Sequence, residues 1–200
     1  MKNIVWLVSY PKSGNTWFRL FLSNYCKGSA SPLPPDHLAS APIASGAGSF
    51  EEHTGLNPFE LTPDEVDLYR ADLYRVLSEE SAETGSPLYK KSHDAYTLNS
   101  LGEPLFPEDV SKCALYIVRN PLDVCVSYAN HNGSQIDGYA RQINNEEIAI
   151  AGYRSGQLRQ KLLSWKSHVK SWQEQTRIPL FTIRYEDMLL RGMETFSAAL

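Results

Sequence analysis

Cysteine is scarce in this sequence: Cys26, Cys113 and Cys125 are its only thiols in 200 residues. Their number is odd, their spacing is wide and their neighbours are apolar, so no disulfide framework is implied. Buried, reduced thiols are the expectation, and with them a reducing, cytoplasmic compartment. No CxxC pair or His/Cys cluster has the ligand spacing of a structural zinc, so no metal is expected. No apolar run reaches the roughly 18 residues of a membrane span. The opening "MKNIVWLVSY" has one lysine and a short apolar run but no small-residue cleavage site. It reads as a first core strand rather than a leader. Positive charge is not in excess either: 19 Lys and Arg stand against 23 Asp and Glu, a formal net charge of −4. Duplex binding needs broad phosphate neutralisation, which argues against a dedicated nucleic-acid binder but not against a small basic pocket. Internal repeats and low-complexity tracts are also missing.

The sequence does have enough hydrophobic residues for a core, 42% of the total, and a length suited to one domain. Ile4–Val8 is a continuous β-branched run, as in a strand buried on both faces. A helix is expected over Thr16–Tyr25. Residues 28–60 are rich in Ser, Pro, Ala and Gly and read as a long irregular, substrate-side segment. Thr62, Pro63, Asp64 and Glu65 form a strong helix start, followed by helical spacing to about Glu80. "SPLYKKSH" (86–93) and "CALYIV" (113–118) read as strands, and Pro121 opens a helix to about Asn130. Residues 131–147 are polar and read as an irregular lid. Leu158, Leu162, Trp165, Val169 and Trp172 make a helical stripe, with His168 assigned to its solvent side. "PLFTIRY" (179–185) is the last strand. Strands alternating with helices imply an α/β fold, a parallel sheet flanked by helices. Ligands then bind at the carboxyl ends of the strands. Polar residues end three of them: Ser9 with Lys12, Lys91 to His93, and Arg119.

"YPKSGNTW" (10–17) links the first strand to the first helix. Such a loop aims backbone N–H groups and the helix dipole at one spot, which suits phosphate or sulfate. Lys12 adds a full charge, and Ser13, Asn15 and Thr16 add donors. The ATP-binding pattern GxxxxGK[ST] places lysine after its second glycine. Here lysine precedes the only glycine, so a standard ATPase or kinase loop is disfavoured. A plain turn with a surface lysine is the alternative. In "YIVRNPLDVCVSY" (116–128), Arg119 ends a strand and Ser127 lies about two turns into the next helix. A guanidinium fork and a hydroxyl there suit a second phosphate.

Together, "YPKSGNTW" and "RNPLDVCVSY" resemble the paired signatures of the cytosolic-type sulfotransferase family. These enzymes take a sulfuryl group from 3′-phosphoadenosine 5′-phosphosulfate (PAPS) and leave 3′,5′-adenosine bisphosphate (PAP). "YKKSHDAY" (89–96), "SWKSHVKSW" (164–172) and "IRYEDM" (183–188) add to the likeness, in family order. The resemblance implies a three-layer P-loop-type fold. It gives Lys12 to the oxygen bridging phosphate and sulfate, and Ser13, Gly14, Asn15 and Thr16 to the 5′-phosphate. Trp17 and Tyr185 go to the adenine, and Arg119 and Ser127 to the 3′-phosphate. His93 matches the general base and Lys91 a second active-site lysine, whereas Lys90 alternates to the other side of its strand. The reaction implied is in-line displacement at sulfur, toward a hydroxyl or amine of a small-molecule acceptor.

Departures from the pattern are few. Asn15 replaces the usual threonine of the loop. Ala129 and Asn130 replace an aromatic continuation after the second signature. The family's basic, glycine-rich C-terminal segment, which clamps the 3′-phosphate, has no counterpart before Leu200. Two other readings remain open: a non-catalytic nucleotide binder, and a P-loop kinase-like phosphotransferase using ATP.

Overall fold

The computed structural model describes residues 2–28, 31–34, 41–152 and 156–200. Strand β1 (Ile4–Ser9) leads into helix α1 (Asn15–Lys27). Helices α2 (Ala47–Thr54) and α3 (Pro63–Ala82) follow, then strands β2 (Leu88–Ser92) and β3 (Ser111–Val118). Next come α4 (Pro121–Asn132), α5 (Ile136–Gln142), and a hairpin of β4 (Ala149–Gly152) and β5 (Gln157–Lys161). Helix α6 (Trp165–Glu174), strand β6 (Leu180–Arg184), α7 (Tyr185–Leu190) and α8 (Gly192–Ala198) complete the described order.

The main sheet has the order β2-β1-β3-β6, and every pair in it is parallel. Alternation along β1 builds a core on each face, because strand side chains point to opposite sides in turn. Ile4, Trp6 and Val8 join Tyr74, Phe106, Tyr116 and Trp172 on one face. Val5 and Leu7 join Phe18, Leu22, Ile117 and Ile183 on the other. Helices therefore cover both faces, as the α/β expectation required. Two strands flank β1 on opposite sides, so the chain reverses direction of travel across the sheet there. A crevice at the carboxyl ends follows from that topology.

Helix α3 begins as its sequence dictates. Glu65 N–H donates to Thr62 Oγ1 at 3.3 Å, and Thr62 N–H donates to Glu65 Oε2 at 2.7 Å, a complete capping box. Several expectations need correction. Residues 28–60 are not wholly irregular: α2 lies within them, and Ile43 bridges to Lys91. Positions 29–30 and 35–40, including His37, lie outside the described residues. The polar 131–147 segment contains α5. The connection from β2 to β3 contains no helix. Leu158 lies in β5 and Leu162 precedes α6, so the helical stripe begins only at Trp165. His168 is not on a solvent face; it is fully buried. Of the thiols, only Cys125 is buried; Cys113 is half-buried and Cys26 exposed, and all three are free.

Candidate functional site

The N-terminus of α1 is built without a side-chain cap. Gly14 holds the N-cap position, and no acidic residue occupies the first turn. Its leading N–H groups and the positive end of the helix dipole are left for something else. Glycine is required at position 14. Its φ is 101°, and a Cβ there would lie 2.6 Å from Tyr185 Cδ2. Lys12 also adopts a left-handed conformation, φ 67°, rare for a residue with a side chain. That turn aims the Lys12 carbonyl at Arg119, whose Nη1 donates to it at 3.0 Å. The Arg119 guanidinium lies 4.1 Å from the Tyr185 ring centroid. Arg119 thus joins the glycine loop to the ends of β3 and β6, with its buried Nε left without a hydrogen-bond partner among the described residues.

A cleft of about 700 Å³ opens over this junction. Lys12, Gly14, Asn15, Thr16, Trp17, Lys91, His93, Arg119, Ser127 and Tyr185 all line it. The structure therefore brings together every residue expected at the site except Ser13. That serine is buried behind the loop, and its Oγ has no hydrogen-bond partner among the described residues. Asn15 lines the cleft but turns its amide inward: Nδ2 donates to the Leu7 carbonyl at 3.1 Å and to Ser9 Oγ at 3.3 Å. Trp17 is partly exposed and meets Tyr185 edge-on, with centroids 6.0 Å apart. Lys90 pairs with Trp6 in the sheet and stays out of the cleft.

His93 stands just past β2. Its Nδ1 lies 2.7 Å from the Ser9 carbonyl oxygen. A carbonyl only accepts, so Nδ1 carries the hydrogen and Nε2 presents its lone pair. Nε2 takes no hydrogen bond among the described residues. Burial holds the imidazole neutral, pushing its pKa down to about 3, and the Lys91 cation adds to the effect. Burial likewise lowers Lys91, to about 8, with Arg19 contributing. The charge of the cleft is one-sided. Lys12, Lys91 and Arg119 line it, and no carboxylate among the described residues does, in a chain with 23 acidic residues.

Tyr128, His131, Ile150, Gln157 and Gln160 also line the cleft; of these, only His131 falls in a segment expected on the acceptor side. Of the last three, only Gln160 falls within the stretch expected to be helical, which starts at Leu158. Gln160 lies on the buried face of β5 with 1% exposure, a placement that the linear pattern does not display.

PAPS is the co-substrate this site was expected to hold, and the donor set fits it. Among the described residues, uncapped N–H groups, three cations and an absence of carboxylates suit two anionic groups. An aromatic pair at Trp17 and Tyr185 suits a base.

No relative is found among curated proteins. Among the solved structures that share the fold are two with a TM-score of 0.50 or more. One is the mouse sulfotransferase SULT7A1 complexed with PAP, with 19% identity and a TM-score of 0.52 over 100% of this chain and 56% of that one. The other is retinol dehydratase in complex with androsterone and inactive cofactor PAP, with 16% identity and a TM-score of 0.50 over 98% and 58%. The chain therefore spans a little over half the length of these structures. The family described as "Sulfotransferase domain" matches residues 2–195. The chain belongs to the sulfotransferase domain family.

Proposed function

We propose that the cleft binds PAPS and that the chain transfers its sulfuryl group to a hydroxyl or amine of a small-molecule acceptor. The observation that carries this is a cleft with three cations and no carboxylate among the described residues that line it, beside a histidine whose Nε2 lone pair is uncommitted. PAPS supplies the activated sulfuryl group. Lys12, with the N–H groups of Gly14, Asn15 and Thr16, holds the 5′ end and neutralises charge growing on the leaving phosphate. Arg119 and Ser127 hold the 3′-phosphate, and Trp17 and Tyr185 flank the adenine. Ser13 acts through its backbone, since its side chain lies behind the loop. His93 Nε2 takes the proton of the acceptor as its oxygen or nitrogen attacks. Lys91 faces the transferring group as a cation.

The acceptor meets the wall of Tyr128, His131 and the β4–β5 hairpin. The chain acts as one domain, with segments around 41–60 and 131–147 on the acceptor side. Free thiols, one of them exposed, fit a reducing, cytoplasmic setting.

The ATP reading is less well supported. Lysine precedes the glycine of the loop, and no carboxylate among the described residues lines the cleft to meet the Mg²⁺ that ATP carries. Thermal unfolding with added nucleotide separates the two. At about 100 times its dissociation constant a ligand adds about 2.7 kcal/mol. For a chain of this size that raises Tm by roughly 5–10 °C. PAP is expected to give that shift, and ADP and ATP much less at the same concentration. Equal or greater protection by ADP or ATP overturns the proposal.

A further inference from the structure

His93 lies beyond the last ladder position of β2, so its main chain needs partners from elsewhere. Two distant side chains supply them. Gln160 Oε1 accepts from the His93 N–H at 2.9 Å. His168 Nε2 lies 3.1 Å from the His93 carbonyl oxygen. Because the carbonyl only accepts, His168 Nε2 carries the hydrogen. Its Nδ1 then accepts from the Tyr116 hydroxyl at 2.8 Å, which fixes that tautomer.

His168 has no exposed surface. Its ring stacks on Tyr116, 5.7 Å between centroids, and meets Tyr10 edge-on at 5.3 Å. Burial keeps it neutral, lowering its pKa to about 4. Packing alone would be served by an aromatic hydrocarbon at this position. An imidazole so deep is costly unless both nitrogens are bonded, and one of its two bonds ends on the carbonyl of His93, which lines the cleft.

We infer that His168 is a positioning residue for His93: with Tyr116 behind it, it holds the His93 carbonyl so that the His93 ring keeps Nδ1 on Ser9 and Nε2 toward the cleft. The inference rests on the reading of His93 as the group that takes the acceptor proton. A displacement of about 1 Å in such a group can cost about 100-fold in rate.

The test compares His168→Phe, His168→Gln and Tyr116→Phe. Phenylalanine fills the space but donates nothing, whereas the glutamine amide can present N–H near the Nε2 position. PAPS is the donor, with the acceptor that wild type sulfates fastest among a panel of phenols, alcohols and amines. His168→Phe is expected to lower kcat by about 30- to 100-fold, leaving KM for PAPS and the PAP-induced Tm shift nearly unchanged. His168→Gln is expected to recover most of the loss. Nitrogen-15 NMR of the His93 ring gives a readout that needs no acceptor. Wild type should show the Nδ1–H tautomer alone, and His168→Phe a mixture. Tyr116→Phe deletes only a hydroxyl and should move the same signal in the same direction, which covers the case of a His168→Phe protein that does not fold. Retained kcat in His168→Phe, no advantage of glutamine over phenylalanine, or an unchanged His93 signal overturns the inference. Should wild type sulfate nothing in the panel, the reading of His93 as base falls, and the His93 signal still decides the positioning claim.

Discussion

Lys12, Lys91 and Arg119 line the cleft with His93, whereas Arg70, Arg159 and Lys161 belong to an ion-pair network built on Asp64, Asp67 and Asp94. The second group is fully matched. Arg70 Nη2 lies 2.7 Å from Asp94 Oδ2, and its Nη1 lies 3.3 Å from Asp67 Oδ1, all three residues being buried. Arg159 reaches Asp64 and Asp67 at 2.5 and 2.7 Å, and Lys161 reaches the same two at 3.4 and 3.3 Å. The first group has no ion pair among the described residues. Acidic residues are abundant in the chain, so their placement, not their supply, makes the difference. Cations paired inside the protein hold a structure; cations left unpaired around a cleft wait for an anion from outside. Adjacent residues divide the two tasks, His93 facing the cleft and Asp94 the network.

The sharpest test of that division is His93→Ala. Loss of a general base costs about 10²- to 10⁴-fold in rate. Turnover should fall by about 1,000-fold, while PAP still raises Tm as in wild type. Residual turnover within tenfold of wild type would remove His93 from its role. Single-turnover kinetics with labelled PAPS makes the measurement.

Removing a cation from each group should have opposite consequences. Arg70→Met strands buried Asp94, and breaking a buried pair costs about 3–5 kcal/mol. For this length that lowers Tm by roughly 10 °C. Lys12→Met removes an unpaired charge, so apo stability should stay within about 0.5 kcal/mol of wild type, while the PAP-induced shift is lost. Calorimetry on both variants, with and without PAP, checks the pair. An Arg70→Met protein as stable as wild type would break the comparison, as would a Lys12→Met protein that still responds to PAP.

The paired network was not legible in the sequence, and the unpaired one was. Lys12, His93 and Arg119 each follow a strand and Lys91 is the next-to-last residue of one; strand ends converge in a parallel sheet, so their meeting could be read from order alone. Arg70, Asp94 and Arg159 come from a helix, a loop and a hairpin strand, with no spacing rule to link them. The hairpin itself was lost to a coincidence of period. Leu158, Leu162, Trp165 and Trp172 are spaced as on a helix, yet Leu158 and Gln160 share the buried face of β5. His168 was put on the wrong face for a similar reason. It stands three residues after Trp165 and four before Trp172, so the helical period places it on the same side as the buried Trp172. Polarity argued for solvent, and the Tyr116 and His93 partners that outweigh it come from other elements. Asn15 shows the same limit: its amide completes the interior of the loop, a contact with Leu7 that the linear pattern does not display.

The smallest expected effect is in the pH dependence, where the two groups separate again. Lys91 must be a cation to hold an anion, and burial has lowered its pKa from 10.5 to about 8. His93 must be neutral to take a proton, and its pKa of about 3 keeps it so throughout the usual range. The profile of kcat/KM for PAPS, which reports the free enzyme, should be level from about pH 5 to 7.5. It should then fall as pH rises through about 8, approaching tenfold per unit. Stability should move the other way. Between about 8 and 10.5 the unfolded chain holds a proton on Lys91 that the folded chain has lost, so this residue's contribution favours folding more as pH rises. In Lys91→Met both trends should vanish together. An alkaline limb that survives in Lys91→Met would show that the cation read by PAPS is a different one, and would move Lys91 from the unpaired group to a purely structural place at the end of β2.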